Sequence, residues 1–127
     1  MRFLGIDHGE SKIGLALGDN EANFSLPYKI IKADDFFNSI NEILAEEEID
    51  EIVLGLPKNL DNEETAQTGV VYHFLNQLKE QVKLPIHLED ERMTSCLGKK
   101  LQNDHQKDED AFSAALILKS FLKRNYG

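Results

Sequence analysis

Four acidic residues stand where an acid could do chemistry. Asp7 directly follows a short apolar run, Asp90 and Glu91 follow another, and Asp110 opens a long apolar segment. In open α/β sheets the usable crevice lies beyond the carboxyl ends of the parallel strands, so residues at those ends come first. Carboxylates gathered at one sheet edge repel one another and lose hydration, a costly arrangement unless a cation neutralises it. Hard oxygen donors suit Mg²⁺ or Mn²⁺. Two such ions about 3.5–4 Å apart can activate a water and stabilise the leaving oxygen of a phosphodiester. The chemistry this predicts is metal-assisted hydrolysis, with no serine or cysteine nucleophile. Each acid alone has a simpler reading: Asp7 ends a strand, Glu91 pairs with Arg92, and Asp110 caps a helix against its dipole. Only their joint placement points to a site.

The elements that would position these acids follow from periodicity. Arg2 to Ile6, Lys12 to Gly18 and Phe24 to Ile31 read as three strands joined by short polar turns, a meander. In the second, Ile13, Leu15 and Leu17 alternate with Gly14, Ala16 and Gly18, so one face is bulky and the other admits a closely packed element. Phe36, Phe37, Ile40, Ile43 and Leu44 recur at helical spacing behind Asp34 and Asp35, which suit a helix N-terminus by capping and by charge. Glu51 to Leu56 is a short strand stopped by Pro57. A helix from about Glu63 to Val82 is predicted to bury Ala66, Val70, Phe74, Leu75 and Leu78. Pro85 precedes the strand Ile86 to Asp90, Met93 to Leu101 can form a short helix, and Gln102 to Glu109 is polar. The last helix, Asp110 to Arg124, is apolar on most sides through Ala111, Ala114, Ala115, Leu116, Leu118, Phe121 and Leu122. The order β-β-β-α-β-α-β-α-α predicts an α/β fold: a mixed five-stranded sheet of three antiparallel strands then right-handed crossovers, with helices on both faces.

Composition sets the limits. A chain of 127 residues suits one domain over 1–127, and a hydrophobic fraction of 41% excludes disorder. The longest apolar run of the later sequence, Ala114 to Leu118, is far short of the roughly 20 residues that span a bilayer, and Asp7 interrupts the apolar start. A lone Cys96 fits a reducing compartment, so a soluble cytoplasmic protein is expected. Fourteen basic against 23 acidic residues give a charge of -9, which argues against holding nucleic acid by phosphate neutralisation alone. Bound divalent cations would reverse the local charge where a phosphate must sit. Nothing in the residues specifies an oligomeric state.

Four segments then fall into a pattern: GIDHGESKIGLALGD at 5–19, GLPKNLDNEE at 55–64, LEDERMTS at 88–95 and DAFSAALILKSFL at 110–122. Together, in this order and over nearly the whole chain, they resemble the YqgF/RuvX family. The resemblance implies an RNase H-like fold, akin to RuvC-type Holliday junction resolvases. It also implies a nuclease that processes the 5′ end of the pre-16S rRNA precursor in ribosome biogenesis. Position by position, the family's first-strand aspartate falls on Asp7, the glutamate of its DER motif on Glu91 and its last-helix aspartate on Asp110. These would be the catalytic, metal-holding acids. Lys12 stands where members commonly carry Arg or Lys, and with Arg92 and Thr94 of the DER-x-T element it would touch substrate. Two departures stand out. Many members carry a long basic loop before the last-helix aspartate, whereas residues 103–109 here are few and mostly acidic, which bears on substrate grip. Compared with resolvases, Gly55-Leu56-Pro57 offers no strand-tip carboxylate, so Glu91 must supply the second acid.

Rival readings have their own signals. Gly5, Gly9 and Gly14 could cradle phosphate, as in sugar kinases and actin-like ATPases, but those close two such domains around a nucleotide and this chain supplies one. A tight turn is the simpler role for the glycines. His8, His73, His87 and His105 lack metal-binding spacing, and strand alternation turns His8 away from Asp7 towards a surface or supporting role. Lys99-Lys100 and Lys119, Lys123, Arg124 are the basic clusters, ordinarily solvated but able to meet phosphate. Tyr28, Tyr72 and Tyr126 are scattered and give no aromatic stacking platform for single strands, and base-specific recognition is not visible. The expectation is a nuclease for structured RNA, with junction DNA or a non-catalytic binding module as alternatives.

Overall fold

The computed structural model describes residues 1–57, 66–90 and 109–127, with positions 109 and 110 described by their backbone. The elements are β1 (Arg2–His8), β2 (Lys12–Asp19), β3 (Phe24–Lys32), a 3-10 turn (Ala33–Asp35), α1 (Phe36–Glu46), β4 (Glu51–Leu56), α2 (Ala66–Gln81), β5 (Ile86–Asp90) and α3 (Glu109–Tyr126). The strands form one five-stranded sheet in the order β3-β2-β1-β4-β5. β1 to β3 pair antiparallel, and β4 and β5 continue parallel to β1, the mixed sheet that the element order predicts.

Strand parity divides the core between two faces. Leu4 and Ile6 of β1 pack with Ile13, Leu15, Ile52 and Leu54 against Phe36, Ile40, Phe74 and Leu78 of α1 and α2. Phe3, Ala16 and Val53 face the other way, onto Ala114, Ile117, Leu118 and Phe121 of α3. Each of these larger side chains contributes about 1.5–3 kcal/mol by leaving water. β1 is therefore buried on both faces, as a central strand must be. The small face of β2 does what its alternation predicts: a Cβ on Gly18 would lie 2.7 Å from Leu118 and 2.9 Å from the Phe24 carbonyl. The outer strand β3 carries Pro27, and its register against β2 shifts between Leu15 and Ala16. Both features blunt an exposed strand edge.

Several boundaries differ from expectation. β1 runs on through Asp7 and His8 because hairpin pairing, Asp7 with Gly14 and His8 with Ile13, continues past the apolar run. Asp34 and Asp35 lie in the 3-10 turn, and Asp35 precedes α1 without making a side-chain cap bond, so their contribution is charge alone. The stripe of α2 passes through Thr68, Val71, Phe74, Leu75 and Leu78, leaving Ala66 exposed and Val70 50% exposed. Thr68 sets this phase, because its hydroxyl donates to the Pro57 carbonyl at 2.6 Å and pins the helix to the end of β4. On α3, Ile117 is fully buried and Leu116 only partly. The expected helix Met93 to Leu101 and the start of α2 from Glu63 lie outside the described residues. Among the described residues, no helix is long and apolar enough to cross a membrane.

Candidate active site

Parity decides which face each acid serves. Phe3, Gly5 and Asp7 alternate onto the α3 side of β1, and Asp7 is partly buried near its carboxyl end. Gly5 makes the approach of α3 possible: a Cβ there would meet the Ala114 carbonyl oxygen at 3.0 Å and the Leu118 Cβ at 3.0 Å. Phe3, one step earlier on that face, packs its ring 5.9 Å from Phe121. The helix thus runs antiparallel to β1. Asp7 is two residues beyond Gly5, about 6.6 Å, and Asp110 is four residues before Ala114, about 6 Å. The backbone at 110 therefore comes to the same sheet edge as Asp7.

Lys12 begins β2 at that edge, exposed, across the hairpin turn from Gly9. The Gly9 amide donates to the Lys12 carbonyl at 3.0 Å, so Gly9 closes this turn while Gly5 faces α3. Two of the three glycines proposed as a phosphate cradle are committed to turn and packing. Asp90 is the last residue of β5, where it pairs with buried Leu56 of β4 on the α1/α2 side. Glu91, Arg92 and Thr94 lie outside the described residues. Asp7 is the one expected metal ligand whose side chain is described, and no group of three potential ligands assembles among the described residues.

His8 points away from Asp7, as alternation requires, and is half-buried. Its ring lies 4.5 Å from that of Phe74, and its Nδ1 is buried with no hydrogen-bond partner among the described residues. Burial pushes the imidazole below its usual value of 6.5. Below that pH the unfolded chain binds the extra proton more readily, so stability falls as pH drops from 6.5 towards the folded value and then levels off. Denaturant melts without divalent ions at about pH 7.5 and about pH 5 are expected to show this loss. His8→Phe, which keeps a ring against Phe74, should remove that share of it.

One polar cluster on the α3 face escaped sequence reasoning. Glu89 of β5 is 5% exposed and ion-pairs with Arg124, while the Ser120 hydroxyl donates to it at 2.8 Å. Arg124, grouped in the sequence with Lys119 and Lys123, is thus tied to the sheet. Its partner lies 35 residues away, and only the crossing of α3 over β5 reveals it.

Comparison with known proteins adds the rest. The sequence profile of the family described as RuvX, Holliday junction resolvase, matches residues 1–124. The chain belongs to the RuvX family. A RuvX relative in Maridesulfovibrio salexigens, with the provisional name pre-16S rRNA nuclease, is 36% identical over 98% of this chain and 99% of its own. Another of that name, in Orientia tsutsugamushi, is 40% identical over 97% of this chain and 84% of its own. Among solved structures, fowlpox virus resolvase with Holliday junction DNA superposes with TM-score 0.60 at 13% identity, covering 98% of each chain. Thermus thermophilus RuvC with a junction substrate gives 0.57 at 12%, covering 100% of this chain and 97% of that one. The RNase H-like fold predicted by the resemblance is the fold observed. The family description and the relatives' name both denote nucleases, and this RuvX chain is a hydrolase of nucleic-acid ester bonds, the enzyme class the acids predict.

Proposed function

We propose that the chain is a divalent-metal-dependent nuclease acting on structured RNA in the cytoplasm, where it trims the 5′ end of the 16S rRNA precursor. The observation that carries the reading is the close seat of α3 on Gly5, which brings positions 7 and 110 to one sheet edge. The relatives' name supplies the substrate class. Asp7, Glu91 and Asp110 would hold Mg²⁺ or Mn²⁺, and the donor chemistry fits, since carboxylate oxygens suit a hard cation. Bound there, the ion would lower the pKa of a water and offset charge on the phosphate. Lys12, at the same edge, would meet a phosphate of the substrate, with Arg92 and Thr94.

A second reading has its own support: the family description and both superposed proteins concern Holliday junctions. Incubating the purified chain with a 16S precursor transcript, and separately with a four-way DNA junction, in Mg²⁺ distinguishes them. Divalent-dependent release of the 5′ leader is the expected result. Cutting of the junction alone would favour resolvase activity, and binding of either without divalent-dependent cutting would overturn the nuclease reading.

A further inference from the structure

Lys119 and Lys123, left over once Arg124 is paired, do not project at random. They line a cleft of about 570 Å³ between the end of α3 and the β2–β3 hairpin, together with Asn20, Asn23, Leu26 and Tyr126. Neither lysine forms an ion pair among the described residues. The hairpin carries two acids: Glu21 faces the N-terminal ammonium at 3.9 Å, and Asp19 is turned into its own turn, accepting from the Glu21 and Ala22 amides at 2.7 and 2.9 Å. Those bonds hold its carboxyl below the usual range, so it stays a satisfied anion in the turn. On the apolar side, Tyr126 is 47% exposed with its ring braced 5.9 Å from buried Phe3.

We infer that this cleft holds a nucleotide unit of single-stranded nucleic acid, with the base against Tyr126 and the flanking phosphates on Lys119 and Lys123. Lysines four apart on a helix present their side chains side by side, about 5–6 Å apart at Cβ, as successive phosphates require. An aromatic ring braced from behind offers a stacking face that any base can use. Asn20 and Asn23 add amide groups at the rim. The scattered tyrosines thus yield one stacking residue after folding. The inference rests on the nuclease reading for its biological sense. The cleft lies at the end of the sheet opposite Asp7, since Asp19 of the hairpin pairs with Arg2. From position 110 to 123 the helix rises about 20 Å, a span of about six nucleotides of a helical strand. A strand gripped here would extend towards the acid edge, which gives the chain a basic hold in place of a basic loop at 103–109.

The test is a titration of the isotope-labelled, full-length chain with a 12-nucleotide RNA in buffer containing a chelator, so that binding is read without cleavage. Amide shifts are expected at Asn23, Leu26, Lys119, Lys123 and Tyr126. Lys119→Gln with Lys123→Gln should lower affinity at least tenfold and reduce the slope of log affinity against log salt by about 1.4, two phosphates at about 0.7 each. Tyr126→Leu should weaken binding by about tenfold with the salt slope unchanged, a readout that mere loss of charge or fold would not give. Shifts confined to the Asp7 edge, unchanged affinity in these variants, or cleft shifts with an acidic peptide but not with RNA would overturn the proposal. Because no hydrolysis is involved, failure here leaves the nuclease reading standing, and failure to cleave leaves the cleft standing.

Discussion

Asp7→Asn is expected to lower cleavage by about a thousandfold or more while the protein stays folded. The substitution keeps the shape of the side chain and removes one unit of ligand charge. A metal's electrostatic contribution is worth several kcal/mol, and each 1.36 kcal/mol is tenfold in rate, so about 4 kcal/mol gives the stated loss. The fold should tolerate the change within about 1 kcal/mol, because Asp7 is only partly buried and its strand pairing is made by backbone. Glu91→Gln and Asp110→Asn are expected to behave alike. The sharper expectation concerns their combination. Residues that serve one ion fail together, so Asp7→Asn with Asp110→Asn should be little worse than either alone. Single-turnover cleavage, with thermal melts and Mn²⁺ binding on the same samples, checks this. An unchanged rate in Asp7→Asn would remove the proposed centre, and effects that multiply would mean that the acids act separately.

What the residues disclosed in advance depended on how local the deciding interaction is. The alternation of bulk and small side chains in β2 was legible because a two-residue period needs only the strand itself, and it foretold the seat of α3 on Gly18. The phase of α2 was not. Val70 and Val71 are adjacent, hydrophobicity cannot choose between them, and the choice follows from the Thr68 bond to Pro57. The extension of β1 through Asp7 and His8 was hidden for a similar reason, since backbone pairing rather than apolar character carries it. For the site, Asp7 and Asp110 were visible as acids at the ends of apolar segments, and parity assigns Asp7 its face. The assignment of Glu91, Arg92 and Thr94 rests on the DER element alone. The Glu89 and Arg124 pair could not have been found, because neither residue's local pattern names the other.

Gly5→Val should damage both stability and catalysis, and the second more than the first explains. A Cβ at Gly5 would sit 3.0 Å from the Ala114 carbonyl oxygen, and backbone cannot swing aside as a side chain can. The helix must therefore move off β1, a form of overpacking that costs about 1–3 kcal/mol and lowers the melting temperature by several degrees. Moving α3 also moves position 110 relative to Asp7. Misplacement of about 1 Å at a reacting centre can cost about a hundredfold in rate. Activity measured well below the melting temperature should thus fall far more than the unfolded fraction accounts for. Gly5→Ala, with one carbon at the same 3.0 Å, should show a smaller loss of the same kind and keeps the test usable if the valine variant does not fold. Gly69→Ala is the control. A Cβ there meets nothing within 4 Å in α2, so it should stabilise by about 0.5–1 kcal/mol and leave cleavage unchanged. If Gly5→Val folds and cuts at full rate, the spacing between β1 and α3 does not set the site, and the convergence of Asp7 with Asp110 loses its structural basis.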